Sequence, residues 1–227
     1  MRHTRIKAAI AVLGLSLSLA ACGDAGSDDE GRDVEAEDVS AEDFEEGTRM
    51  RELVEAGEIT VGVKFDQPGL GFKDASADAP TGFDIEIAKI LVASLGIDPA
   101  SDSVKWEETI SDNREPYLQE GRVDLVLATY SITDDRRQLV GQAGPYFITG
   151  QQVLVKADSD VTGIEDLKGK TVCSVTGSTS LENVEAAGAK GAPADTYSQC
   201  AEDVLNGTVE AMSTDGAILL GLAAQNE

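Results

Sequence analysis

The 227-residue chain carries 42 acidic side chains against 18 basic ones, a net charge of −24. A surface that negative repels nucleic-acid phosphates and anionic lipid headgroups, so neither is expected as a partner. The one histidine, His3, lies at the extreme N-terminus, so no Ser-His or Cys-His catalytic pair and no histidine-ligated metal site is expected, and no cofactor is called for.

Arg2, Arg5 and Lys7 precede an apolar run, residues 8–21, interrupted only by Ser16 and Ser18. The run is short for a bilayer span and ends in small residues before a cysteine, which reads as a secretory signal over residues 1–21. Leu19-Ala20-Ala21-Cys22 resembles the lipobox of bacterial lipoproteins, which implies lipidation of Cys22 and an extracytoplasmic protein tethered by that anchor alone. Loss of the signal would leave 15 basic residues against 42 acids, a net charge of −27. Residues 23–47 hold twelve acids, one base (Arg32) and few large apolar groups. Such a stretch buries too little surface to offset its ordering entropy, so residues 22–47 are expected to be a disordered spacer. With Cys22 assigned to the anchor, Cys173 and Cys200 form an even pair in an oxidising compartment, favouring a disulfide.

The folded part is expected from Thr48, as the cap of a helix over 48–56 that Gly57 ends. Residues 58–65 (EITVGVKF) predict a strand and 67–71 (QPGLG) a loop. Residues 84–95 place Ile87, Ala88, Leu91, Val92 and Leu95 at helical spacing, with Gly96 as the stop. A short strand follows at 104–106, a short helix at 113–120, and an apolar strand of parallel-sheet character at 123–129 (VDLVLAT). Later segments predict a strand at 195–198, just before Cys200, and a helix at 217–224. Strands alternating with helices at this spacing define an α/β fold.

The pattern recurs. Leu118-x-x-Gly121 followed by Val123-Asp124 leads to Thr129, and Val204-x-x-Gly207 followed by Val209-Glu210 leads to Asp215, eight residues from glycine to terminal polar residue each time. Two such units predict two lobes, each presenting strand C-termini to a shared cleft.

Residues 129–136 (TYSITDDR) follow the apolar strand directly. In an extended segment Thr129 and Ser131 point the same way, and Arg136 can fold back beside them, a set suited to a carboxylate. The same residues alone also read as a turn capping a helix. The segments GFDIEIAKIL (82–91), GRVDLVLATYSITDDRR (121–137), GPYFITGQQVLV (144–155) and DLKGKTVCSVTGSTS (166–180) resemble family 3 solute-binding proteins, the polar amino acid receptors of ABC importers. The resemblance implies a type II periplasmic-binding-protein-like fold, each lobe a mixed, mainly parallel sheet flanked by helices. Lobe one would cover 48–149 and lobe two 150–227. It further implies that Arg136, with Thr129 and Ser131, grips the α-carboxylate of a free amino acid, that Ser178 and Thr179 complete the grip from a helix N-terminus, and that Asp215 holds the α-ammonium.

Asn113-Arg114-Glu115-Pro116-Tyr117-Leu118 resembles the glutamate/aspartate branch, which implies that Arg114 reads a side-chain carboxylate, with Lys64 adding a second cation. Otherwise Arg114 is a surface partner of Glu107 or Glu108. The aromatic residue that often sandwiches ligands after the first strand is absent, and Gly69, Leu70 and Gly71 stand there. Relatives continue some way beyond the Asp215 segment, so the sequence reads as a fragment whose return to lobe one is missing. The expected protein is a monomeric, non-enzymatic receptor delivering an acidic amino acid to an ABC permease. The alternatives are a cyclic-acid dehydratase-like enzyme on the same fold and a ligand-sensing module for a signalling receptor.

Overall fold

The computed structural model describes residues 33–226. The expected signal sequence, Cys22 and the first part of the spacer lie outside these residues.

The first lobe begins earlier than Thr48. The Glu37 N–H donates to Ala93 O at 2.9 Å, Ser40 and Asp43 close a capping box on a 3-10 turn, and Phe44 packs on the first hydrophobic core. The expectation of a spacer reaching Gly47 is therefore corrected over its second half. Phe44 finds apolar partners in that core, and the nearby acids Glu42 and Asp43 are exposed.

Helix α1 (Arg49–Ala56) is capped by the Thr48 hydroxyl and closed by Gly57 at φ 65°. Strand β1 (Ile59–Val63) leads to a hairpin of β2 (Asp66–Gln67) and β3 (Gly71–Phe72). Helix α2 (Phe83–Ala93), β4 (Val104–Glu108), α3 (Arg114–Gln119, after a 3-10 turn Ser111–Asn113) and β5 (Leu125–Leu127) follow. The strands form one parallel sheet in the order β4-β1-β5. Helix α2 lays Ile85, Ala88 and Val92, all fully buried, against Val61, Val63 and Leu127 of that sheet. Each large aliphatic side chain so buried contributes about 1.5–3 kcal/mol.

After the single turn α4 (Asp134–Arg137), the second lobe contains β6 (Gln151–Leu154), β7 (Thr171–Val175), α5 (Thr179–Ala186), β8 (Lys190–Ala194), α6 (Tyr197–Asn206), β9 (Ala211–Asp215) and α7 (Gly216–Gln225). Its sheet order is β6-β9-β7-β8, with β6 antiparallel to β9 and the other pairs parallel. Leaving β6 aside, β8-β7-β9 repeats the order β4-β1-β5. The duplicated glycine-to-polar spacing thus marks the third parallel strand of each lobe.

Cys173 on β7 is disulfide-bonded to Cys200, with Cα atoms 5.4 Å apart. The expected route was wrong. The strand lies at Lys190–Ala194, and Cys200 sits in the first half of α6, whose apolar face packs across the sheet onto β7. Thr196 accepts the Gln199 N–H and starts this helix where a strand was expected.

The β2–β3 hairpin joins the lobes. Leu70 is part of the second lobe's core. The Asp66 carboxylate accepts the Tyr197 N–H at 2.7 Å, and Ser198 Oγ donates to Asp66 O at 3.0 Å, so a first-lobe residue caps the N-terminus of α6.

Candidate functional site

Strands β5, β7 and β9 end toward the space between the lobes, and residues that follow them, with Ser111 and Arg114 after β4, line a small polar cavity. Arg114, Ser131 and Arg136 line it from the first lobe, and Ser178, Thr179 and Asp215 from the second; Thr129 also contributes.

Arg114 is only 2 % exposed. It donates from Nε to Ser111 O (2.9 Å), from Nη1 to Ala128 O (3.1 Å) and Thr129 O (3.2 Å), and from Nη2 to Gly177 O (3.1 Å). It is therefore no surface partner of Glu107, whose carboxylate pairs with Arg122. Arg136 donates from Nη1 to Ser131 O (3.0 Å) and from Nη2 to Gly177 O (2.9 Å), with Glu115 3.6 Å from Nε. The Tyr130 ring lies 4.6 Å from one guanidinium and 4.4 Å from the other, and its hydroxyl donates to Glu115. Burial, and then the neighbouring Arg136 charge, push Arg114 down to about 10.

A guanidinium has five N–H donors. Four contacts to carbonyls leave Arg114 one donor to offer. Arg136 keeps one donor on each Nη, with Nε turned to Glu115, so Arg136 is the better fork for a carboxylate.

Thr129 departs from expectation. Its φ is +47°, the one left-handed non-glycine backbone among the described residues, so the segment leaving β5 is not extended. It still lines the cavity with Ser131, because the turn swings the chain back toward Arg114. Ser178 caps α5, accepting the Leu181 N–H, and the first N–H groups of that helix open toward the cavity. Asp215 ends β9. Burial raises its pKa, offset in part by Arg114, and its carboxylate makes no hydrogen bond among the described residues.

Lys64 does not line the cavity. Its ammonium, 1 % exposed, donates to Ser111 Oγ at 2.9 Å, on the residue whose carbonyl accepts Arg114 Nε. Burial, opposed by Asp66, pushes it down to about 8. Its place as a direct second cation is replaced by one behind the Ser111 turn, because β1 ends a residue short of the cavity wall.

Sequence reasoning missed several participants. Gly177, whose carbonyl accepts from both arginines, looked like an ordinary turn residue. Tyr130, between the two marked hydroxyls, carries the ring against which both guanidiniums lie. Asp84 was absorbed into a helix and proves to bind the Thr129 N–H. Gln67 is fully buried, with neither amide atom hydrogen-bonded. Its place in a loop after the first strand was the only available signal. Among the described residues no cluster of Cys, Asp or Glu suits a metal ion, and no helix is long and apolar enough to cross a membrane.

Two α/β lobes with matching strand orders, and a charged cavity at the strand C-termini between them, define a cleft-type binding protein. Residues 59–219 match the model of the bacterial extracellular solute-binding proteins, family 3, and the chain belongs to that family. It is 38 % identical to the glutamate-binding protein GluB of Corynebacterium efficiens, over 99 % of this chain and 72 % of the relative. It is 33 % identical to the ABC transporter glutamine-binding protein GlnH of Bacillus subtilis, over 92 % of this chain and 73 % of that one. Among solved structures, the solute receptor for L-cysteine of Neisseria gonorrhoeae matches with a TM-score of 0.72 at 30 % identity, covering 79 % of this chain and 72 % of the other. An ancestral arginine-binding protein bound to arginine matches with a TM-score of 0.68 at 36 % identity, covering 75 % of each.

Proposed function

We propose that this protein is an extracytoplasmic receptor for a free acidic amino acid, glutamate or aspartate, which it hands to an ABC permease. The observation that carries the reading is the pairing across one small cavity of two buried guanidiniums with a half-buried carboxylate that has no hydrogen-bond partner. A zwitterion with a second carboxylate complements that set. Arg136 takes the α-carboxylate with Thr129, Ser131 and the α5 N-terminus carrying Ser178 and Thr179. Asp215 takes the α-ammonium. The remaining Arg114 donor, with Lys64 behind it, faces the side-chain carboxylate. The similarity to glutamate- and glutamine-binding proteins supports the amino acid class.

In the same reading the mature protein begins at a lipidated Cys22, works as a monomer, and divides near residue 149 into lobe one and lobe two. The membrane is reached only through the anchor, and the site carries no catalytic role. Isothermal titration against the common amino acids tests the function. Glutamate or aspartate should bind at least tenfold tighter than glutamine or asparagine, and equal affinity for acids and amides would refute the acidic assignment.

A further inference from the structure

Asp84 is the second residue of α2 and is 2 % exposed. A carboxylate in the first helical turn suits the helix dipole, but burial of one is costly, and its neighbours along the buried face, Ile85, Ala88 and Val92, are apolar. Both of its oxygens are used. Oδ2 accepts the Thr129 N–H at 3.0 Å, and Oδ1 accepts the Tyr146 hydroxyl at 2.9 Å. The Asp84 backbone N–H is itself held by Leu70 O at 2.9 Å, and position 82 requires glycine, because a Cβ there would lie 2.5 Å from that same carbonyl.

The peptide that Asp84 grasps is the strained one. A β-branched residue at φ +47° is unfavourable by itself and persists only where its surroundings hold it. The flanking carbonyls, Ala128 O and Thr129 O, are the two that receive Arg114 Nη1. The turn is therefore clamped from both sides, by a carboxylate on its N–H and a guanidinium on its carbonyls.

We propose that Asp84 is a positioning residue for the binding site, holding Thr129 in its left-handed conformation and so fixing where Arg114 presents its free donor. This inference rests on the proposed receptor function for its affinity readout, although the contact it describes does not. Tyr146, in the segment between α4 and β6, orients the carboxylate by engaging the oxygen that Thr129 leaves free.

The test compares backgrounds. Asp84→Leu keeps the side-chain shape while removing both acceptors, and should weaken glutamate binding about tenfold to thirtyfold, the order expected for losing support of one left-handed residue. Asp84→Asn retains an acceptor for the Thr129 N–H and should stay within about threefold of the parent. Thr129→Gly removes the side-chain penalty on positive φ. Asp84→Leu added to Thr129→Gly should therefore cost less than about threefold beyond Thr129→Gly alone. Equal losses from Asp84→Leu in the two backgrounds, or none in the parent, would overturn the proposal.

A ligand-free measurement stands beside these, in case Asp84→Leu does not fold or the receptor function fails. By NMR hydrogen exchange on the unsubstituted full chain, the Thr129 amide should be protected at the level of β1. Exchange at the rate of an exposed amide would overturn the inference whatever the protein binds.

Discussion

Gly177→Ala isolates the contact on which both arginines converge. Gly177 has φ +74°, and an added Cβ would lie 2.9 Å from Asp112 Cα, 3.0 Å from Asp112 Oδ1 and 3.1 Å from Asp112 N. Two costs follow, and they differ in kind. The left-handed backbone costs an alanine about 1–2 kcal/mol wherever the opposite lobe sits. The collision involves backbone across the lobe interface, so the lobes must separate there by roughly half an ångström to regain ordinary contact. Gly177 O then leaves good hydrogen-bonding range of Arg114 Nη2 (3.1 Å) and Arg136 Nη2 (2.9 Å). Weakening two charge-assisted bonds by about half, each worth about 1.5–3 kcal/mol, amounts to about 2 kcal/mol, or roughly thirtyfold in affinity. Calorimetric titration with glutamate measures that loss, and thermal melting of the ligand-free protein measures the strain. Gly121→Ala is the control, since Gly121 has φ +67° and nothing within 4 Å of an added Cβ. It should show the melting shift without the affinity loss. Affinity for Gly177→Ala within threefold of the parent would refute the claim that this close approach is needed for binding.

Arg136→Ala should weaken every amino acid ligand by about 2–5 kcal/mol in calorimetry, because the free donor on each Nη disappears with the charge; a loss below tenfold counts against its carboxylate role. Arg114→Ala should weaken acids more than amides and also lower the melting temperature, since it removes a charged donor from Ser111 O, Ala128 O and Thr129 O and leaves Gly177 O to Arg136 alone; an equal effect on both ligand types counts against a side-chain contact. Reducing the Cys173–Cys200 bridge, which spans 27 positions, should cost about 3–4 kcal/mol in the chain-entropy account, read as a lower urea midpoint under thiol; an unchanged midpoint refutes it. Lys64 loses its proton near 8 when folded against a usual 10.5, so the unfolded chain holds more protons between those values and stability rises with pH across that window. Relative to Lys64→Met, urea stability of the parent should gain about 3 kcal/mol from pH 7.5 to 10.5, and a constant difference would exclude a charged, buried Lys64 below pH 8.

What the sequence determined by itself is what local pattern encodes. The helical spacing of Ala88, Val92 and Leu95, the apolar run before Thr129, and the Thr48 cap and terminal glycines set most elements to within a few residues, although Leu91 of the expected stripe is exposed and Ile85 takes its place in the core. The duplicated eight-residue spacing carried the paired architecture, because the same strand–helix–strand unit places its third strand alike in each lobe. That architecture placed Thr129 and Asp215 opposite each other, since residues just past strand C-termini meet there, and the resemblance of the segments around Arg136, Ser131, Ser178 and Thr179 to the family implied the rest of the set.

Only tertiary structure decided how those groups are engaged. Hydrogen bonds between residues such as Arg114 and Gly177, 63 positions apart, depend on how two lobes meet and leave no periodic trace. The same holds for Lys64, one residue short of the cavity and turned to Ser111, and for Asp84, whose carboxylate in a helix pattern gives no hint of the strained peptide it holds. The start of α6 went astray because residues 195–198 are too few for periodicity to separate a strand from a helix, and the packing of α6 across β7 settled it.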